Sequence, residues 1–290
     1  MPGEAPVVAK IVTCAPTPFP VSSTTLTSLS EHENDYISIK RMTTTLRQAG
    51  ERGKPRSHKL EQMAQAVPKL NPQRIRIGRF LPCYDRLLSD PTLGFREEWE
   101  WAKRFIARRN KAKVVNESHL ISRPDLKEAA GQCAGNWTRV YILAMLWGYG
   151  ASTGQPAKDG PAKLYLSLRT QDARNIIERA AGEIIQGNLE AGFTHFCIGE
   201  SKLKEVGVSF GTKFLFAVGL VGNAVDVKPL VYDARIHKSL EALDYNYPAP
   251  SGLRAADYVR YCNLMSWLAK QINADAGQLE QLLFEKKGNF

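Results

Sequence analysis

Lys213 follows a glycine-bearing turn, and Asp233 comes twenty residues later at the head of a helix-like segment. A primary amine partnered by a carboxylate can perform covalent nucleophilic catalysis. The neutral amine attacks an electrophilic carbon, and the carboxylate takes its proton or steadies developing positive charge. Residues 206–236 carry both groups and read VGVSFGTKFLFAVGLVGNAVDVKPLVYDARI. Apart from Lys213 itself, residues 213–220 are apolar, which places the lysine on a buried helix. Desolvation and the positive end of a helix both work against an ammonium charge, leaving the nucleophilic free amine. Each residue also has a plainer reading: Asp233 before Ala-Arg-Ile suits an N-cap, and Lys213 could extend to solvent or a phosphate. The chemical reading rests on the two occurring together on either side of a helix and a turn.

The elements around the pair must hold them. Gly207 and Gly211 are expected to adopt backbone angles closed to other residues, letting a short helix over 201–206 reverse into a second helix that starts near Thr212. Exposed amides at such a helix start form an anion site suited to a DNA phosphate. Gly207, Val208, Ser209, Gly211 and Thr212 are therefore the candidate DNA-contacting residues.

The rest of the chain reads as mainly α, with few strands. Amphipathic or core helices are expected over 95–113, 125–133, 137–147, 170–186, 234–243, 255–272 and 278–284. On the helix over 170–186, Ile176, Ile177, Ala180, Ile184 and Ile185 form the expected inner face. Arg74 and Arg76 alternate with Ile75 and Ile77 in a strand-like pattern. Residues 1–35, rich in Pro, Ser and Thr, read as a loosely ordered leader. Residues 36–150 form a basic N-terminal helical part and 151–290 a catalytic part, with a Gly- and Pro-bearing loop over 150–161 at the boundary.

Composition narrows the partners. The 290 residues hold 39 Lys and Arg against 29 Asp and Glu, a formal net charge of +10, which favours a polyanion. The five cysteines are scattered, without a CxxC pair or a histidine cluster, so neither a disulfide framework nor a metal site is expected. No apolar run is long enough to span a bilayer and no secretory signal stands at the N-terminus. A cytoplasmic, soluble protein without a membrane partner is the expectation.

The segment GVSFGTK over 207–213, followed by Asp233, resembles the helix-hairpin-helix DNA glycosylase superfamily, in particular its bacterial 8-oxoguanine DNA glycosylase branch. FGTKFLFA over 210–217, PLVYDAR over 229–235 and LEQLLFEKKG over 279–288 are similar to that branch. The likeness covers roughly residue 136 to the end. It implies two helical halves with the active-site cleft between them, and an enzyme that flips a modified base out of double-stranded DNA and cleaves its N-glycosidic bond. Lys213 would form a Schiff base with the sugar, with possible AP-lyase activity, and Asp233 would assist. No cofactor and a monomeric state are implied. CAGNWTRV over 133–140 is similar to the family's Cys-x-x-Asn segment, so Asn136 is the candidate to fill the hole left by the base. Trp147, Tyr149, Tyr258 and Tyr261 are the candidate base-pocket aromatics. Two departures stand out: the hairpin is two residues longer than the compact Gly-x-Gly form, and residues 1–120 do not show the family's usual N-terminal domain.

The substrate the resemblance implies by default is 8-oxoguanine, in base-excision repair. An antiviral glycosylase acting on a modified cytosine of phage DNA, such as glucosylated hydroxymethylcytosine, is the alternative within the same chemistry. A non-catalytic DNA-binding protein is the alternative outside it.

Overall fold

Helical periodicity becomes twelve α-helices and one two-stranded ribbon among the described residues, a mainly-α fold. The computed structural model describes residues 57–110, 119–150, 157–200, 202–222 and 227–290, without the side chains of Ser57, Arg79 and Asn110. The leader expected over 1–35, the basic stretch as far as 56, Lys111, Lys113 and positions 151–156 of the expected loop lie outside them. The described residues fall within one compact unit, 53–290.

Helices α1 (Ser57–Ala66), α2 (Leu81–Leu88) and α3 (Arg96–Asn110) come first, with strand β1 (Arg74–Arg76) between the first two. β1 pairs antiparallel with β2 (Leu120–Ser122), Ile75 opposite Ile121, and its two arginines are exposed while Ile75 is buried. Ser122 ends the strand and starts α4 (Arg123–Gln132) through a reciprocal capping box with Asp125, with Pro124 in the first turn.

Helix α5 (Trp137–Tyr149) is the core helix its composition predicts, with every residue from Val140 to Trp147 buried. Its first turn is held by the carboxylate of Glu178 from α7, which accepts the Trp137 N–H at 2.9 Å. Helix α6 (Gly160–Leu168) falls on a span for which no helix was expected. The Gly and Pro that read as a loop boundary are its first two residues, where Pro is tolerated because that amide lacks an intrahelical partner anyway. In α7 (Ala173–Ile185) the expected inner face is confirmed at Ile177, Ala180 and Ile184, Ile176 is partly buried, and Ile185 is 38% exposed. Ile185 closes the last turn, where the helix has rolled past the core.

Helix α8 (Leu189–Phe193) widens into a π-helical turn over Thr194–Ile198 and leads to the hairpin of α9 (Val208–Gly219). Helices α10 (Ala234–Ala242), α11 (Ala255–Gln271) and α12 (Ala276–Lys286) complete the chain. Their apolar stripes are legible at helical spacing: Ile236, Leu240 and Leu243, then Tyr258, Tyr261, Cys262, Met265 and Leu268, all fully buried. Full burial of each large apolar side chain contributes about 1.5–3 kcal/mol, so these stripes fix how the last three helices pack.

Candidate active site

The lysine-bearing helix begins earlier than its sequence suggested. Gly207 is the N-cap and Val208 the first helical residue, and no helix forms over 202–206, where Lys204 and Glu205 make a turn. The backbone of Gly207 is extended, with φ −95° and ψ −179°, and Gly211 is helical, so neither uses the angles reserved for glycine. In this reversal the left-handed conformation is taken by Glu205, at φ 60°. Gly211 serves close packing instead: a Cβ there would lie 2.5 Å from Sγ of Cys197 on the π-helical turn.

Lys213 is thus in the second turn of α9, not the first, and 8% exposed. Helical side chains lean toward the N-terminus, and its Nζ donates to the Ser209 carbonyl at 2.8 Å. Its stem is pressed between helices, since a Cβ on Gly148 of α5 would sit 2.9 Å from its Cδ. The ammonium also lies 5.0 Å from the centre of the Phe210 ring. Burial is the dominant influence on this amine and holds it below the ordinary lysine range, against the opposing pull of the Asp233 and Glu280 carboxylates; Arg123 and Arg235 add to the lowering. The helix end, which acts within the first turn, is not the cause.

Asp233 has both of its expected roles, on different oxygens. Oδ1 accepts the backbone N–H of Arg235 and Ile236 at 2.9 and 3.1 Å and so caps α10. Oδ2 stands 3.9 Å from Nζ of Lys213. The segment leading to Asp233 has no partner strand, and side chains do that work. Tyr258 Oη donates to the Leu230 carbonyl at 2.7 Å and accepts its N–H at 3.1 Å, while Tyr261 Oη donates to the Val231 carbonyl at 2.8 Å. Thr212, adjacent to the lysine, donates to the Val208 carbonyl and accepts the Tyr232 N–H at 3.0 Å. One buried hydroxyl therefore ties the lysine helix to the aspartate segment.

Several expected roles change in consequence. Thr212 and Gly211 are buried and Val208 is 8% exposed, so of the hairpin candidates Gly207 and Ser209 are those on the accessible side. With glycine at the N-cap, no side chain caps the first turn of α9, which leaves that end suited to water or an anion. Tyr258 and Tyr261 are fully buried with their hydroxyls committed to backbone, and act as struts beneath Asp233 rather than as walls of a base pocket. Trp147 and Tyr149 flank Gly148 and so adjoin Lys213; Tyr149 stacks on Phe210 at 4.2 Å between ring centres, and Trp147 on Phe216 at 6.3 Å. Asn136 is at the opposite end of α5 from Gly148, about 18 Å along the helix at 1.5 Å per residue. Its Nδ2 donates to Glu98 at 3.0 Å. The structure brings Lys213, Asp233, Trp147 and Tyr149 together and leaves Asn136 apart.

Two residues beside this centre were missed. Glu280 of α12 is fully buried, and Nη1 of Arg123 lies 2.7 Å from its Oε2. The one signal in the sequence is a glutamate inside the otherwise apolar run LEQLLF, whose facing positions are core. Among the described residues no group of three or more His, Cys, Asp or Glu could hold a metal ion. No helix among them is long and apolar enough to cross a membrane.

A buried amine facing a carboxylate, on helices joined by a tight hairpin, defines a helical protein built for covalent chemistry. The particular family follows from comparison: the model of the family described as "Putative 8-oxoguanine DNA glycosylase OGG-like protein" matches residues 91–284, and the chain belongs to that family. The match reaches back beyond residue 136 to include α3 and α4, and covers Lys213, Asp233, Arg123 and Glu280. No curated protein and no solved structure matches the chain.

Proposed function

We infer that the protein is a DNA glycosylase whose nucleophile is Lys213. The observation that carries this is the 3.9 Å approach of the Asp233 carboxylate to a lysine amine that burial keeps from charging. In this reading residues 151–290 supply the lysine, the aspartate and the hairpin, and Trp147 and Tyr149 from α5 border the space for the extruded base. Holding a flipped base between apolar walls excludes water and orients the sugar toward the amine.

The steps follow from the groups. The free amine of Lys213 attacks the anomeric carbon, and the bond to the base breaks with its electron pair leaving on the base. Asp233 Oδ2 steadies the positive charge on the sugar and takes the proton the nitrogen gives up. Opening of the sugar ring leaves a Schiff base, which water hydrolyses or from which the 3′ phosphate is eliminated with strand cleavage. The hairpin end at Gly207 and Ser209 receives a phosphate of duplex DNA, supported by the net charge of +10. The family description makes 8-oxoguanine the default base, in base-excision repair.

Borohydride trapping tests the reading. The protein is incubated with duplexes containing 8-oxoguanine, glucosylated hydroxymethylcytosine or an abasic site, and covalent adducts are resolved on a denaturing gel. The native protein is expected to trap on 8-oxoguanine and Lys213→Ala is not. Trapping on the cytosine duplex instead would move the substrate to modified phage DNA. Base release without trapping would make Asp233 the principal catalytic group, acting through water. Binding to all three duplexes with no base release would reduce the protein to a DNA-binding module.

A further inference from the structure

A buried ion pair is an expensive way to fill space. Replacing such a pair by apolar side chains is often neutral or stabilising, whereas removing one partner is costly. Arg123 and Glu280 are 9% and 0% exposed, and they sit beside the lysine and aspartate rather than elsewhere in the core. Arg123 is the first residue of α4 and Glu280 lies in the middle of α12. The guanidinium reaches Glu280 Oε2 at 2.7 Å and the Gly277 carbonyl at 3.0 Å. It also covers the Phe216 ring at 4.8 Å and the Trp147 ring at 5.5 Å. Phe216 is one helical turn from Lys213 on α9, and Trp147 precedes the glycine that presses on the lysine stem. The charged groups acting on Lys213 are Asp233, Glu280, Arg123 and Arg235, and those acting on Glu280 are Arg123, Asp233 and Lys213. The four buried charges around the amine therefore interact as one set.

We propose that Arg123 and Glu280 form a positioning pair for Lys213, a cation and an anion whose opposite fields on the amine decide its charge state when DNA arrives. This rests on the reading of Lys213 as nucleophile. Arg123 favours the free amine and Glu280 the ammonium, so the pair holds the lysine between inertness below and permanent neutrality above. Neither residue touches the reacting atoms.

The test reads Lys213 directly. Full-length protein carrying lysine labelled with carbon-13 at Cε is titrated by NMR, and the Lys213 resonance is the one absent from Lys213→Met. Glu280→Gln retains an acceptor for Arg123 but leaves its charge unopposed, and is expected to move the Lys213 midpoint down by about one pH unit. Arg123→Met is expected to move it up by a similar amount, and Arg123→Met with Glu280→Gln to return it between the two. The conservative Arg123→Lys is expected to leave it where the native protein has it. The pH at which borohydride trapping reaches half its maximum should follow the same order. A merely structural pair would lower stability in both single variants without splitting the midpoints. Coincident midpoints, or two shifts in one direction, would overturn the proposal. Should Glu280→Gln not fold, Arg123→Met alone decides: an unmoved or lowered midpoint is fatal. If the midpoints split but Lys213 never traps on DNA, the nucleophile reading fails while the control of its charge stands.

Discussion

Oδ2 of Asp233 faces Nζ of Lys213 at 3.9 Å while Oδ1 of the same carboxylate caps α10. The two functions can be separated by substitution. Asp233→Asn keeps an oxygen for the cap and loses the charge, so it should melt within about 1 kcal/mol of the native protein. Base release under single-turnover conditions should nevertheless fall by roughly 10²- to 10⁴-fold. Asp233→Ala removes both, and should show the same catalytic loss with a further destabilisation of about 1 kcal/mol. Thermal melts alongside single-turnover kinetics separate the two losses, and full activity in Asp233→Asn would leave the carboxylate as a cap alone.

Thr212 is expected to matter for folding and not for the strength of DNA binding. Thr212→Val keeps the shape but leaves the buried Tyr232 N–H without its acceptor, which costs about 1–3 kcal/mol. The salt dependence of DNA binding should be unchanged, because no phosphate contact is lost. Urea denaturation and binding isotherms at several salt concentrations check both halves.

At Gly211 the constraint is the sulfur opposite. Gly211→Ala would place a methyl group 2.5 Å from Sγ of Cys197, so the helices must separate, at a cost of about 1–3 kcal/mol. Cys197→Ala in the same chain removes that sulfur and should recover part of the loss in a thermal melt. A Gly211→Ala protein as stable as the native one would show that this packing is looser than its geometry.

Lys213 should weigh on stability in a pH-dependent way. Its folded-state pKa is lowered, chiefly by burial, so between that value and the ordinary lysine pKa the unfolded chain binds the extra proton. Native stability on this account rises with pH through that window. Below the window the full cost of the buried ammonium is present. Lys213→Met escapes it, and should exceed the native protein in stability by an amount greatest at neutral pH and shrinking toward pH 10. Chemical denaturation at pH 7 and pH 9.5 reads the difference, and a constant gap would contradict the assignment.

What the sequence determined by itself was local. Apolar spacing placed the long helices at 137–149 and 255–271 within a residue or two, because a buried helical face needs nothing beyond its own period. Asp233 before Ala-Arg-Ile was legible as a cap because the cap and its amides are neighbours in the chain. The amine and the carboxylate could be paired on type and resemblance. The helix start at Val208 could not be read, since glycine there suggested strained angles when its neighbours only required closeness to Cys197. The helix at Gly160–Leu168 was hidden by the Gly-Pro that opens it.

Tertiary structure decided what distance in the chain conceals. Thr212, expected at the DNA, is a buried tie to Tyr232, and Tyr258 and Tyr261, expected around the base, hold the segment that aims Asp233. Arg123 and Glu280 lie more than a hundred residues apart, so no spacing rule connects them. Their meeting beside Lys213 depends on the packing of α4, α9 and α12. Charge acts through space: the sequence names the ionisable groups, but only the folded chain sets the distances and the burial that decide which of them carries a proton.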